Sequence, residues 1–261
     1  MDLKISGRVA LVLGAGGGLG SAIARQLAQE GVNVALADID EAALRSTAEA
    51  VEQAGARSVS CVWDLSDSTS VDAHVSRIER ELGPVDILVN NTGGPPPSPA
   101  SGIAGDVWAK HFNAMVLSVI GITDRILPGM RARKWGRVIT SSSSGVVAPI
   151  PNLAMSNALR MSLVGWSKTL AREVASDNVT VNVILPGRIA TPRIRFLDEA
   201  KAKRENRPLE AVVSESLGSI PMGRYGMPEE YADAVAFLAS ERASYVTGTI
   251  MRVDGGYLQN I

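Results

Sequence analysis

Short, largely apolar runs alternate along this chain with longer stretches of helical periodicity. "RVALVLG", "VNVALAD", "SVSCVWD", "VDILVNN", "GRVITSS", "VTVNVIL" and "GTIMRVDGG" are β-branched and bounded by Gly, Asp, Asn or Pro. Runs that are apolar on both alternating faces predict strands buried on both sides, as in a parallel sheet between helical layers. Between them, "SAIARQLAQE", "EAALRSTAEAVEQA", "SVDAHVSRIEREL" and "PEEYADAVAFLAS" place apolar residues at helical spacing. Repeated β-α units predict an α/β fold, a single-domain Rossmann-type doubly wound parallel sheet of about seven strands with helices on both faces. No charge run, repeat or Ser/Gly linker divides the chain, so residues 1–261 read as one domain.

Two segments break the rhythm. "TGGPPPSPASG", Thr92 to Gly102, cannot hold a helix or strand for long and directly follows a strand's carboxyl end. Residues 186–221 form an unusually long excursion before the last strand. Ligands of open α/β sheets bind beyond the carboxyl ends of the strands, so both segments are expected to border the site.

Composition narrows the functional classes. Hydrophobic content of 46% with 20% charged residues describes a globular chain with an ample core, and a net charge of −1 offers no case for nucleic acid or an anionic membrane. Cys61 is the only cysteine and reads as a small buried hydrophobe; with only His74 and His111 besides, no metal site is expected. No apolar run approaches membrane-spanning length, and the first glycines come too early for a signal-peptide core. A cytoplasmic protein acting on a small molecule is the expectation.

The first strand runs into "LGAGGGLGSAIARQL", which sets Gly14, Gly18 and Gly20 between strand and helix. Glycines permit a tight turn and close backbone approach, and the helix start presents free N–H groups to a pyrophosphate. The second strand ends at Asp38, 18 residues beyond Gly20, where a carboxylate can accept both ribose hydroxyls and repel a 2′-phosphate. No Arg or Lys lies within Gly14 to Gly20, and Ile39 follows the Asp. NAD is therefore expected in preference to NADP. Asp38 also sits where a helix N-cap could stand.

The order Gly14-x-x-x-Gly18-x-Gly20, Asp64-Leu65, Asn90-Asn91-Thr92-Gly93, "RVITSSSS", Pro186-Gly187 and "PEEYADAVAFLASERASYVTGTIMRVDGG" resembles the short-chain dehydrogenase/reductases, above all the 3-oxoacyl-carrier-protein reductase-like branch. The resemblance covers essentially the whole chain. It implies an NAD(P)-dependent oxidoreductase interconverting a hydroxyl and a carbonyl, assembled as a homotetramer. The implied cofactor contacts are Gly14, Gly18, Leu19, Gly20, Asp38, Asp64, Leu65, Asn90, Asn91, Gly93, Arg160, Pro186, Ile189 and Thr191. Asp64 and Leu65 would meet adenine, and Ile189 and Thr191 the nicotinamide carboxamide.

The catalytic frame departs from the family. There a Tyr is the acid/base, a Lys four residues later lowers its pKa and binds ribose, a Ser bonds the substrate oxygen and an Asn holds a relay water. The helix "VGWSKTLARE" sets the frame, which puts Ser156 at the Tyr position, Arg160 at the Lys, Ser143 at the Ser and Met115 at the Asn. A serine is too weak an acid to replace a phenol, and arginine stays protonated. Ser143, Ser156 and Arg160 remain the catalytic candidates, while Lys110 and His111 read as solvent-facing or packed helix residues. None of Tyr225, Tyr231, Tyr245 and Tyr257 is expected to supply the acid, since all fall in a C-terminal section used for packing and assembly. Arg188, directly after Pro186-Gly187, can clamp a substrate carboxylate or phosphate, with Arg193 and Arg195 just beyond. Two readings stay open: an enzyme with a rebuilt site, and a silent or repurposed NAD-binding protein serving as a sensor, partner subunit, isomerase or lyase.

Overall fold

The computed structural model describes residues 1–260. Seven parallel strands form one sheet: β1 Val9–Leu13, β2 Asn33–Asp38, β3 Ser58–Val62, β4 Ile87–Asn90, β5 Gly136–Ser141, β6 Val179–Pro186 and β7 Ile250–Val253, in the order 3-2-1-4-5-6-7. The alternation read from β1 shows how the sheet is buried. Val9, Leu11 and Leu13 pack into a cluster with Val75, Ile78, Ile122 and Ile126, while Ala10 and Val12 pack with Ile23, Leu27, Leu44 and Val235 on the other face. Helices α1 (Gly18–Gln29), α2 (Glu41–Gln53) and α9 (Pro228–Ala239) cover one face; α3 (Val71–Glu81), α5 (Ser118–Ala132) and α6 (Ala154–Val174) cover the other. Cys61 is fully buried in the second cluster, as expected of a small hydrophobe.

Ala10 pairs with both Val34 of β2 and Ile87 of β4, so the chain's winding reverses on either side of β1. The carboxyl ends of β1 and β4 therefore open onto a crevice, and the Gly-rich turn and the Asn90–Gly94 segment are its two lips. The 92–102 segment makes no helix or strand, as anticipated. It is tied to the start of α6, because Ser98 N–H donates to the Asn152 carbonyl at 2.7 Å and Ala154 N–H donates to the Ser98 carbonyl at 3.3 Å.

The 186–221 excursion is ordered as two helices, α7 (Pro192–Glu205) and α8 (Leu209–Gly218). Thr191 caps α7, Pro192 opens it at a position where no N–H is needed, and Asn206 ends it in the left-handed region at φ +50°. A short helix, α4 (Gly105–Phe112), and a π-helical stretch at Asn113–Leu117 lead into α5. No described helix is long and apolar enough to cross a membrane, and no described cluster of His, Cys, Asp or Glu could hold a metal.

The turn after β1 separates two kinds of glycine. A Cβ on Gly20 would fall on the Gly14 carbonyl oxygen, whereas a Cβ on Gly17, whose backbone is extended, would meet nothing within 4 Å. Gly20→Ala should therefore destabilise the fold by about 1–3 kcal/mol through overpacking, read by urea unfolding. Gly17→Ala should leave stability within about 0.5 kcal/mol.

Candidate active site

A cavity of about 750 Å³ lies at the carboxyl ends of the strands, bounded by the Gly-rich turn, the 92–97 segment, the start of α6 and helix α7. Gly14 (φ +61°) and Gly18 (φ +53°) hold left-handed backbone that other residues resist. At Gly14 a Cβ would also stand 2.6 Å from the Asn91 carbonyl oxygen. The Asn91 amide donates to the Leu13 and Gly14 carbonyls at 3.3 and 3.4 Å, which locks the two lips together. Asp38 accepts the Gly16 N–H at 2.9 Å on one oxygen and the Asp40 N–H at 3.1 Å on the other. The cap of α2 is Asp40, which accepts from Ala43 N–H at 3.0 Å, so Asp38 is not a helix cap but the clasp of the phosphate turn. Its neighbour Ile39 is 71% exposed.

Most of the expected cofactor residues form the wall: Gly14, Gly18, Leu19, Asp38, Asp64, Leu65, Asn91, Gly93, Arg160, Pro186, Ile189 and Thr191. Gly20 and Asn90 do not. Gly20 is packed behind the turn, and the Asn90 amide faces Thr123 and Thr140 at 3.4 Å inside the sheet layer. Both shape the crevice from behind. Asp64 accepts N–H and O–H bonds from Ser66, which hold its carboxyl below its ordinary range and keep it ionised.

Ser143, Ser156 and Arg160 all reach the cavity. The Ser143 hydroxyl accepts the Gly145 N–H at 3.1 Å, which leaves its own proton free to donate. Ser156 is buried and its hydroxyl has no partner among the described residues. Arg160, 7% exposed, donates from Nη1 to the Ser141 carbonyl at 3.2 Å and from Nη2 to the Thr92 carbonyl at 3.1 Å. Burial, and secondarily the charge of Arg193, push its guanidinium down to about 10, so it stays charged at neutral pH. Met115 is buried among Val119, Met155, Leu159 and Leu163 within the π-helical stretch, and it also lines the cavity. Asn113 is exposed and cannot stand in for the missing relay.

Three expectations change. Arg188 lines the cavity, but it is paired with the buried Asp198, which also accepts the Tyr225 hydroxyl at 2.8 Å. Its charge is already balanced, so it is not a free clamp for a substrate anion. The tyrosines are not confined to packing: Tyr257 lies on the cavity wall. Tyr231 is fully buried behind Ser141, bonded to its hydroxyl at 2.9 Å, and burial raises its phenol. His111, expected to face solvent or packing, also reaches the cavity, as do Lys201 and Arg204. Tyr257 and His111 were missed because the turn and helix register that aim them inward depend on tertiary packing.

A family model described as enoyl-(acyl carrier protein) reductase matches residues 14–258. The chain belongs to the short-chain dehydrogenase/reductase family. It is 36% identical over 258 residues to the 3-oxoacyl-[acyl-carrier-protein] reductase of Escherichia coli (strain K12), covering 97% of this chain and 98% of that protein. L-Sorbose reductase from Gluconobacter frateurii, complexed with NADPH and L-sorbose, superposes with a TM-score of 0.94 at 33% identity over 100% of both chains. An NAD⁺-bound xylitol dehydrogenase superposes with a TM-score of 0.91 at 30% identity, over 97% of this chain and 100% of that one. Like these relatives, this short-chain dehydrogenase/reductase is an oxidoreductase with an NAD(P)-binding Rossmann fold. The crevice fits such a dinucleotide: Gly17 leaves a face open where any side chain would intrude, and the adjacent α1 start presents unpaired N–H groups.

The Arg160 bonds make it a brace between the β4 and β5 ends. Arg160→Ala should lower stability by roughly 1–3 kcal/mol, because two carbonyls lose charged partners, and Arg160→Lys should recover only part of this. Ser156→Ala should stay within about 0.5 kcal/mol of the parent. Thermal and urea unfolding of the three variants read the ranking.

Proposed function

We propose that the chain is an NAD(H)-preferring dehydrogenase/reductase that interconverts a hydroxyl and a carbonyl on a small anionic substrate. The observation that carries the cofactor preference is Asp38: a carboxylate fixed at the cavity wall by two backbone N–H groups, followed by an exposed Ile39 rather than a cation. A 2′-phosphate brought there would meet negative charge with no arginine or lysine to offset it. The wall residues from Gly14 to Thr191 would hold the dinucleotide, which when bound supplies or accepts a hydride.

The chain's own residues do the rest. The free Ser143 proton donates to the substrate oxygen, and Arg160 sets a positive charge beside it. Together they stabilise negative charge developing on that oxygen. Ser156 is too weak an acid to protonate it, and the smaller side chain leaves room beside Arg160 for water to carry the proton. Polarisation by a fixed cation and a hydroxyl thus replaces proton donation by a phenol.

Two measurements test this reading. Calorimetry should find NAD(H) bound at least about tenfold more tightly than NADP(H), the scale of one charge-assisted hydrogen bond, and Asp38→Ala should narrow the gap; equal or reversed affinities would sink the assignment. Absorbance at the reduced-nicotinamide band, across hydroxy and oxo acids, should find turnover that Ser143→Ala slows by roughly a hundredfold. Bound NAD(H) with no turnover on any of them would return the chain to the silent reading.

A further inference from the structure

Five cationic side chains stand on the cavity wall, and three have acid partners. Arg188 pairs with Asp198, Lys201 with Glu215 at 2.5 Å, and Arg204 with Glu205 at 3.1 Å. Arg160 and Arg193 have no carboxylate within 4 Å among the described residues. Each is bonded only to backbone carbonyls, Arg160 to Ser141 at the end of β5 and to Thr92, and Arg193 to the same loop as Thr92. Arg160 donates to Thr92, and Arg193 Nη2 donates to Pro95 at 2.7 Å. Between them, a Cβ on Gly94 would stand 2.9 Å from Arg193 Nη2. The two guanidiniums therefore flank the Thr92–Pro95 segment, reaching it from α6 and from α7.

Carbonyl dipoles satisfy single N–H groups but do not neutralise a charge. Two like charges, one of them almost fully desolvated, raise each other's cost in a shared low-dielectric cavity. The charge of Arg193 is one of the causes that lower the Arg160 pKa, so the two guanidiniums are electrostatically coupled. Each also has N–H groups left over: three of the five on Arg160, four on Arg193. An anion between them would lower the repulsion and take those donors in the fork geometry that guanidinium offers to carboxylate or phosphate.

We propose that Arg160 and Arg193 form one anion site and that it holds the carboxylate of the substrate. This rests on the dehydrogenase/reductase reading above and names its substrate as an oxo or hydroxy acid. The dinucleotide pyrophosphate is the other anion that could reach the cavity. The Gly-rich turn and the α1 start already provide its donors, which leaves the two arginines for the substrate. Arg188, more obvious in the sequence, differs from them in that Asp198 balances its charge, although its buried Nε has no partner among the described residues.

The test reads binding rather than turnover, so an inactive enzyme does not decide it. Acetoacetate and its methyl ester are titrated by calorimetry into the NADH-loaded protein, in the parent and in Arg193→Gln and Arg193→Lys, with folding of each variant checked by thermal unfolding. The parent should bind acetoacetate and ignore the ester. Arg193→Gln should weaken acetoacetate by roughly tenfold or more, the loss expected for a charge-assisted bond. Arg193→Lys should recover part of that, and NADH affinity should change by less than about twofold in both. A fall in NADH affinity with acetoacetate binding unchanged would assign the pair to the pyrophosphate and overturn the substrate site. Equal binding of acid and ester, or no effect of Arg193→Gln on either ligand, would overturn the anion site itself.

Discussion

One buried guanidinium determines how the rest of this site is arranged. Arg160 reaches from α6 to the carbonyls of Thr92 and Ser141, just past β4 and at the end of β5. It therefore ties together two adjacent strands and the loop that covers the crevice. A lysine ammonium offers its three donors from one point, whereas the planar fork aims separate N–H groups from two nitrogens at the two carbonyls. Ser156, four positions earlier, is buried on the same helix face.

The sheet was readable from the sequence because its signal is local. β1, β2 and β4 are apolar at nearly every position, so their burial on both faces follows from the local pattern, whereas β5 and β6 also bury Arg137, Thr140, Thr180 and Asn182, and β3 is buried only at alternate positions. Helix α7 was not readable in this way. Its residues are mostly charged, so periodicity gives no amphipathic signature, and only its ends carry one: Thr191-Pro192 at the start and Asn206 ahead of Pro208 at the close. Capping signals of this kind mark where a helix begins without saying that the stretch between is folded.

The two halves of the site differ in legibility for a related reason. The cofactor end rests on backbone conformation, and a glycine that must be a glycine, such as Gly20 against the Gly14 carbonyl, leaves its mark in the sequence. The substrate end rests on which charges are balanced, and the balancing partners come from elsewhere. Arg188 looked free because its partner Asp198 stands ten residues on in the sequence, in α7, and meets it only once that helix folds back. Arg193, named beside Arg188 from the sequence, bonds the Pro95 carbonyl 98 residues earlier, a contact that no local pattern shows.

With Ser156 where the family carries its Tyr, the site faces a specific physical problem. Reducing a carbonyl puts negative charge on oxygen, and the charge must be neutralised by a proton or tolerated by its surroundings. Tyr231 cannot supply the proton, since it lies wholly behind Ser141 and its phenol is raised by burial. What reaches the cavity is a cation that stays charged at neutral pH and a serine whose oxygen is already bonded to Gly145 N–H, so that its hydrogen is free to point at the substrate. Both groups tolerate charge rather than discharge it. Fixed dipoles and charges of this kind need no reorganisation as the oxyanion develops, and their effect is largest where water is scarce. The brace between β4 and β5 thereby has two consequences at once: it ties the strand ends together beside the cavity, and it holds a permanent positive charge on the cavity wall.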